Sequence, residues 1–244
     1  MKIDACSATD IGLVRKSNQD AVGCFPELSV FVLADGMGGL ESGEVASRLA
    51  VDAVERYFAE GSSGGGSETD PLRSAVELAN RDVLQERNRR TGPEGPPTIG
   101  TTIVLLQLLP QANRAAWAHV GDSRLYRVRD QQLILLTADH TLSGAAFRNL
   151  PSVPLDLPHT NVLVQALGIG PDVEIAIASD ALQPGDLFLL CSDGISGLVD
   201  PASIERELLA ETSLEDKARR LIDLALAASG KDNASCVLVR ATEG

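Results

Sequence analysis

The chain has 244 residues, 44% of them apolar, enough to bury a core and to exclude disorder over most of its length. Twenty-one Lys and Arg against thirty-four Asp and Glu leave a formal net charge of −13, which repels nucleic-acid backbones and anionic lipid surfaces. No stretch approaches the ~20 apolar residues of a membrane helix, MKIDACSATD carries acids where a signal peptide is apolar, and four cysteines without a CxxC pair argue against zinc and disulfides, so a cytoplasmic protein is expected.

In chain order, β-rich runs predict strands at 3–8 and 30–33. A helix over 42–58 follows, with Ala46, Leu49, Ala50, Ala53, Val54, Tyr57 and Phe58 at the three-and-four spacing of a core-facing stripe. The Gly/Ser-rich stretch 61–67 reads as a loop, because Asp70-Pro71 then opens a second helix with Leu72, Ala75, Val76, Ala79 and Val83 on one side. These two helices are expected to pack as an antiparallel pair. Strands are predicted at 102–109, 114–120, 125–128, 133–136, 173–178 and 187–191, with turns at Asn113-Arg114 and Asp130-Gln131 that favour antiparallel hairpins. Asp200-Pro201 and Ser213 start a second helix pair that stops at Gly230, and a last strand covers 236–239. Helix pairs in two blocks around clustered strands predict an α+β fold of two stacked antiparallel sheets covered by helices, not a βαβ sheet.

The informative acids sit at strand ends: Asp35 after SVFVLA, Asp122 after AAWAHVG, Asp193 after LFLLCS, and Asp232 just before SCVLVR. One Asp-Gly at a strand end is an ordinary turn signal. Four at the ends of buried strands predict a shared cleft, where carboxylates repel one another unless they take up protons or cations. An oxygen-only set without Cys or His favours magnesium or manganese over zinc. Arg15, in TDIGLVRKSNQD, offers a planar fork suited to two phosphate oxygens, and Asp20 lies five residues further on.

At this point the chain resembles the metal-dependent protein serine/threonine phosphatases of type 2C, the PPM family, in their compact bacterial form. The resemblance rests on ordered blocks across nearly the whole chain: TDIGLVRKSNQD (9–20), ADGMGGLESGEVAS (34–47), GTT (100–102), VGDSRLYRVRDQQLILLTADH (120–140), LCSDGISGLV (190–199) and GKDNASCVLV (230–239). It implies one phosphatase catalytic domain over 1–244, folded as a four-layer αββα sandwich with a flap-like segment at about 141–161. By the same resemblance Asp35 bridges two core Mg²⁺ or Mn²⁺ ions and Gly36 offers its backbone carbonyl. Asp193 and Asp232 hold the first ion, Asp20 holds the second through water, and Asp122 serves a third, weaker one with Asp193. Arg15 matches the phosphate-binding arginine. The implied reaction is in-line attack on phosphoserine or phosphothreonine by a hydroxide bridging the two ions, on phosphoproteins made by a eukaryotic-like Ser/Thr kinase.

Three departures from the family pattern stand out. Met37 occupies the position where many members carry a histidine thought to be the general acid, Gln19 replaces the usual acid before Asp20, and the flap-like stretch is short and proline-rich. His119 and His140 read as structural. The rival expectation is a degenerate phosphatase fold kept as a binding or regulatory module. A cysteine phosphatase is excluded because Gly197, not Arg, stands six residues after Cys191. No P-loop is present.

Overall fold

A computed structural model of the chain describes residues 1–38, 42–61, 70–92, 99–144 and 162–243. Two antiparallel sheets form its centre. One runs in the order β1 (Lys2–Asp10), β11 (Ala234–Thr242), β10 (Leu187–Cys191), β7 (Arg124–Arg129) and β8 (Gln132–Leu135). The other runs β2 (Asp20–Phe25), β3 (Val30–Gly38), β5 (Ile103–Leu109), β6 (Arg114–Val120) and β9 (Ala176–Ala181), with the short β4 (Ile99–Thr101) pairing the end of β3. The helices are α1 (Ser42–Ala59), α2 (Asp70–Arg89), the single turn α3 (Asp193–Ser196), α4 (Pro201–Leu209) and α5 (Leu214–Ala228).

The continuous apolar runs of β3, β5, β10 and β11 are explained by burial on both faces, because successive side chains point to opposite sides of a sheet. Val30, Val32 and Ala34 of β3 and Leu105 of β5 pack under α1 and α2, together with Ala50, Val54, Leu72 and Val76. Their neighbours Phe31, Leu33, Val104 and Leu106 face the other sheet, where they meet Phe188, Leu190, Val237 and Val239. On the far side Leu189, Cys191, Cys236 and Leu238 pack against Ile204 and Leu208 of α4 and Leu221 and Ala225 of α5. The layers are therefore α1–α2, sheet, sheet, α4–α5, the expected four-layer α+β sandwich.

Local signals behave as their chemistry dictates. Asp130 and Gln131 both have positive φ (51° and 58°) and form the two-residue β7–β8 turn, the mirror-type geometry that matches strand twist. Asp200 caps α4 by accepting from the Ser203 amide at 3.0 Å, and Ser213 caps α5 by accepting from the Asp216 amide at 3.1 Å. The end of α4 is closed differently. Lys217, 1% exposed, donates through Nζ to the carbonyls of Glu207, Leu208 and Ala210, and burial lowers its pKa. Lys217→Met leaves those acceptors without a donor and is expected to cost about 1–3 kcal/mol, read as a lower urea midpoint at unchanged slope; an unchanged midpoint would show that water replaces the ammonium freely.

The structure corrects several expectations. The strand expected at 173–178 lies at Ala176–Ala181, because its register is set by pairing with β6, Trp117 opposite Ala178 and Ala115 opposite Asp180. Asp180 tolerates a strand position because Arg127 binds it at 2.7 Å. The strands β2 and β4 and the turn α3 carry no strong pattern of their own and were not anticipated. Of the loop expected at 61–67, residues 62–67 lie outside the described residues, as do 145–161 of the flap-like segment. Among the described residues no helix is long and apolar enough to cross a membrane.

Candidate metal centre

The acids gather where the intersheet core runs out. On β3 the side facing the other sheet reads Phe31, Leu33, Asp35, and on the adjacent β2 it reads Cys24, Val22, Asp20. Antiparallel register puts Asp20 directly opposite Asp35. On β11 the same face reads Val239, Val237, Ser235, so polar groups replace apolar ones along one edge of the sandwich.

Asp35 is fixed through its backbone. Its amide donates to Thr102 Oγ1 at 3.0 Å, its carbonyl accepts from the Thr101 hydroxyl and the Thr102 amide, both at 2.9 Å, and Thr102 Oγ1 lies 2.7 Å from Ser123 Oγ. The neighbouring Gly36 donates its amide to the Gln19 carbonyl at 3.0 Å, and a Cβ there would stand 2.1 Å from the Gly43 carbonyl oxygen, so only glycine fits. Asp193 opens α3 straight after β10, with Gly194 pressed so close to the Asn233 carbonyl that a Cβ would stand 1.8 Å from it. Asp232 precedes β11, and Asp122 sits between β6 and β7. Together with Arg15 and Gly36, these four acids line one cavity of about 230 Å³. Asp20 is not in its wall. It lies beside Asp35 on the adjacent strand, held by the Ser192 hydroxyl, which donates to its Oδ2 at 2.8 Å. Every candidate residue is thus brought to one end of the sandwich, Asp20 outside the cavity wall.

The electrostatics follow from this crowding. Burial, then Asp20, Asp193, Asp122 and Asp232 in that order, push the Asp35 pKa well above the usual carboxylate value. Burial raises Asp20 to about 6 and Asp122 to about 7, and Asp193 is raised by burial and Asp232. On the rim, the half-exposed Arg15 donates through Nη2 to Asp232 Oδ2 at 2.7 Å, a bond that raises its own pKa.

A hard cation suits this donor set. Asp20 Oδ1 is buried and accepts no hydrogen bond from the described residues, and among the described residues that line the cavity four carboxylates face the one guanidinium of Arg15. Among the described residues no three acid, imidazole or thiol side chains converge on a single point as they stand. The ion pair of Asp232 with Arg15 and the hydrogen bond of Ser192 to Asp20 draw those oxygens toward partners instead.

Met37 lines the cavity and brings no proton. His119 and His140 are not in its wall. They stack 4.7 Å apart within the fold, His119 Nε2 lies 2.9 Å from the Ala138 carbonyl, and His140 Nδ1 accepts from the Gly121 amide at 3.3 Å. Burial lowers both, His140 to about 4, in keeping with their expected structural role. Gln19 packs its carboxamide over Gly43 of α1, where a Cβ would stand 2.8 Å from Gln19 Cδ, and its Nε2 donates to the Gly38 carbonyl at the end of β3 at 3.5 Å. Thr102, Ser192 and Asn233 were overlooked as site residues. The threonine was in view as part of GTT, but nothing in a single hydroxyl or amide signals which backbone it will hold.

Two antiparallel sheets carrying strand-end aspartates to one edge of their shared core, with a guanidinium on the rim, define a class of α+β sandwich with an acidic cleft. Residues 14–240 match the family Protein phosphatase 2C, and the chain belongs to that family. The serine/threonine protein phosphatase PstP of Mycobacterium tuberculosis is 35% identical over 235 residues, which cover 94% of this chain but 43% of PstP, so the chain spans less than half of that relative's length. A putative protein phosphatase 2C-type of Streptococcus pyogenes is 31% identical over 241 residues, covering 95% of this chain and 94% of its own. The crystal structure of the PstP catalytic domain in complex with two manganese ions aligns with a TM-score of 0.84 at 30% identity, covering 99% of each chain.

Proposed function

We propose that the chain is a Mn²⁺- or Mg²⁺-dependent phosphatase acting on phosphoserine and phosphothreonine in proteins, with a eukaryotic-like Ser/Thr kinase as the opposing activity. The observation that carries this reading is the set Asp35, Asp122, Asp193 and Asp232 around one cavity, the first three with raised pKa values, with Asp20 beside Asp35 and Arg15 on the rim. The PstP catalytic domain with its two manganese ions supports the same reading.

In this mechanism Asp35, the Gly36 carbonyl, Asp193 and Asp232 would hold the core ions, Asp20 would act on the second through water, and Asp122 with Asp193 would serve a third, weaker ion. Ions bound there would supply Lewis acidity and activate water for attack on phosphorus at neutral pH. Arg15 binds and orients the phosphoryl oxygens, exchanging its contact with Asp232 for the substrate. Thr101 and Thr102 hold Asp35 in place through its backbone. Met37 donates no proton, so the leaving alkoxide is protonated by water rather than by that side chain.

Hydrolysis of p-nitrophenyl phosphate and of a phosphothreonine peptide tests the reading. Turnover that needs Mn²⁺ and disappears on chelation is the expected result. No turnover at any Mn²⁺ concentration, with the protein folded, would leave a binding or regulatory module instead.

A further inference from the structure

The segment that carries Arg15, residues 11–19 between β1 and β2, has almost no apolar anchorage. Leu13 and Val14 are 70% and 67% exposed and Ile11 is 39% exposed, so burial does not decide where the guanidinium points. Hydrogen bonds decide it, and three of them come from one side chain. Asn233 is 4% exposed. Its Nδ2 donates to the carbonyls of Ile11 at 2.8 Å and Ser17 at 3.0 Å, and its Oδ1 accepts from the Gln19 amide at 2.9 Å. One amide thus ties both ends of the loop on either side of Arg15. Only a side chain that donates twice and accepts once within this small space makes those bonds, which is the valence of a carboxamide.

The contact surface is tight as well. Leu13 donates its amide to the Gly230 carbonyl at 2.7 Å. Gly12, at φ +80°, lies against Asp232, where a Cβ would stand 2.3 Å from the carbonyl oxygen. The same residue 233 seats α3 through its own carbonyl, pressed on Gly194, so it joins the Asp193 turn to the Arg15 loop.

We infer that Asn233 is the positioning residue for Arg15: its carboxamide sets the loop so that the guanidinium meets the phosphoryl group beside the acid cluster. This rests on the reading of Arg15 as the phosphate-binding group. A displaced Arg15 weakens binding of the phosphate in ground state and transition state alike, so its loss shows in KM more than in kcat.

The test is a double-mutant cycle of Asn233→Ala and Arg15→Ala, assayed with p-nitrophenyl phosphate at saturating Mn²⁺, with inorganic phosphate as competitive inhibitor. Arg15→Ala is expected to raise KM and the phosphate inhibition constant about tenfold, the scale of one lost charge-assisted contact. Asn233→Ala is expected to raise both about three- to tenfold with kcat within about twofold, and to change neither appreciably when Arg15 is already Ala. Hydrogen exchange at the amides of residues 13–17 is expected to speed up in Asn233→Ala while exchange in β10 stays as in the parent. Gly12→Ala, which leaves the Asn233 side chain in place but presses the loop off the Asp232 carbonyl, is expected to reproduce the KM signature and serves if Asn233→Ala does not fold. Multiplicative effects in the cycle, or unchanged exchange at 13–17, overturn the assignment of Asn233 alone. An unchanged KM in Arg15→Ala removes the phosphate-binding reading of Arg15 and this assignment with it.

Discussion

Asp35→Asn is expected to lower turnover by at least about 10³-fold and, in the metal-free protein, to raise the melting temperature. Both follow from one fact, that the carboxyl is held among four others with its pKa pushed well above the usual range by burial and by Asp20, Asp193, Asp122 and Asp232. Without a cation its charge is a liability at neutral pH, and a neutral isostere relieves it. The backbone has no reason to move, since Thr101 and Thr102 bind the main chain of residue 35 and not its side chain. For a chain of this size each kcal/mol moves the melting temperature by about 2–4 °C, so a rise of about 3–6 °C is expected at pH 8 in the presence of a chelator. Asp122→Asn, at the position proposed for a third ion, is expected to keep tight Mn²⁺ binding. Scanning calorimetry and Mn²⁺ titration on the two variants check this. Loss of stability in Asp35→Asn, or turnover within tenfold of the parent, would show that Asp35 is a structural carboxylate.

Metal binding is expected to become tighter from pH 5 to about pH 7.5 and to release protons as it does. Asp20 and Asp122 are raised from 3.8 to about 6 and about 7, and Asp35 and Asp193 move in the same direction. A carboxyl whose folded pKa lies above its unfolded value binds more protons in the folded state between the two. Its contribution is therefore present at low pH and is lost as pH rises from about 4 through the folded pKa. Metal-free protein should lose stability over that window. The arginine-paired carboxylates act with the opposite sign and at lower pH, since Glu86 is held at about 2 by Arg89 and Arg90. Mn²⁺ displaces the extra protons, so its stabilising effect grows with pH. Calorimetry at pH 6 in two buffers of different ionisation enthalpy reads the protons directly, and about one or more released per protein is expected. Equal heats in both buffers would mean that the raised carboxyls are not the ones that bind.

Much of this protein was legible in its sequence because its signals are local. The helix stripe from Ala46 to Phe58, the Asp200 and Ser213 caps, the Asp130-Gln131 turn and the apolar runs of β3 and β10 each depend on neighbours a few residues away. The acids at the ends of those runs were legible for the same reason, as was the family pattern that joins them.

The remainder needed the third dimension. The strand β2 has a glycine at its centre and gains strand geometry only from pairing with β3, and that pairing alone sets Asp20 against Asp35. The position of β9 three residues later than its apolar pattern suggests was decided by β6. That Asp20 lies outside the cavity wall, that Gln19 packs over Gly43 of α1, and that Asn233 holds the Arg15 loop are facts of contact between residues as many as 222 positions apart. Sequence alone determined which segments are buried and which acids end them, since periodicity and turn chemistry are short-range. Tertiary structure decided which acids share a field and which amide aims the guanidinium, since charge repulsion and hydrogen bonding act through space and not along the chain.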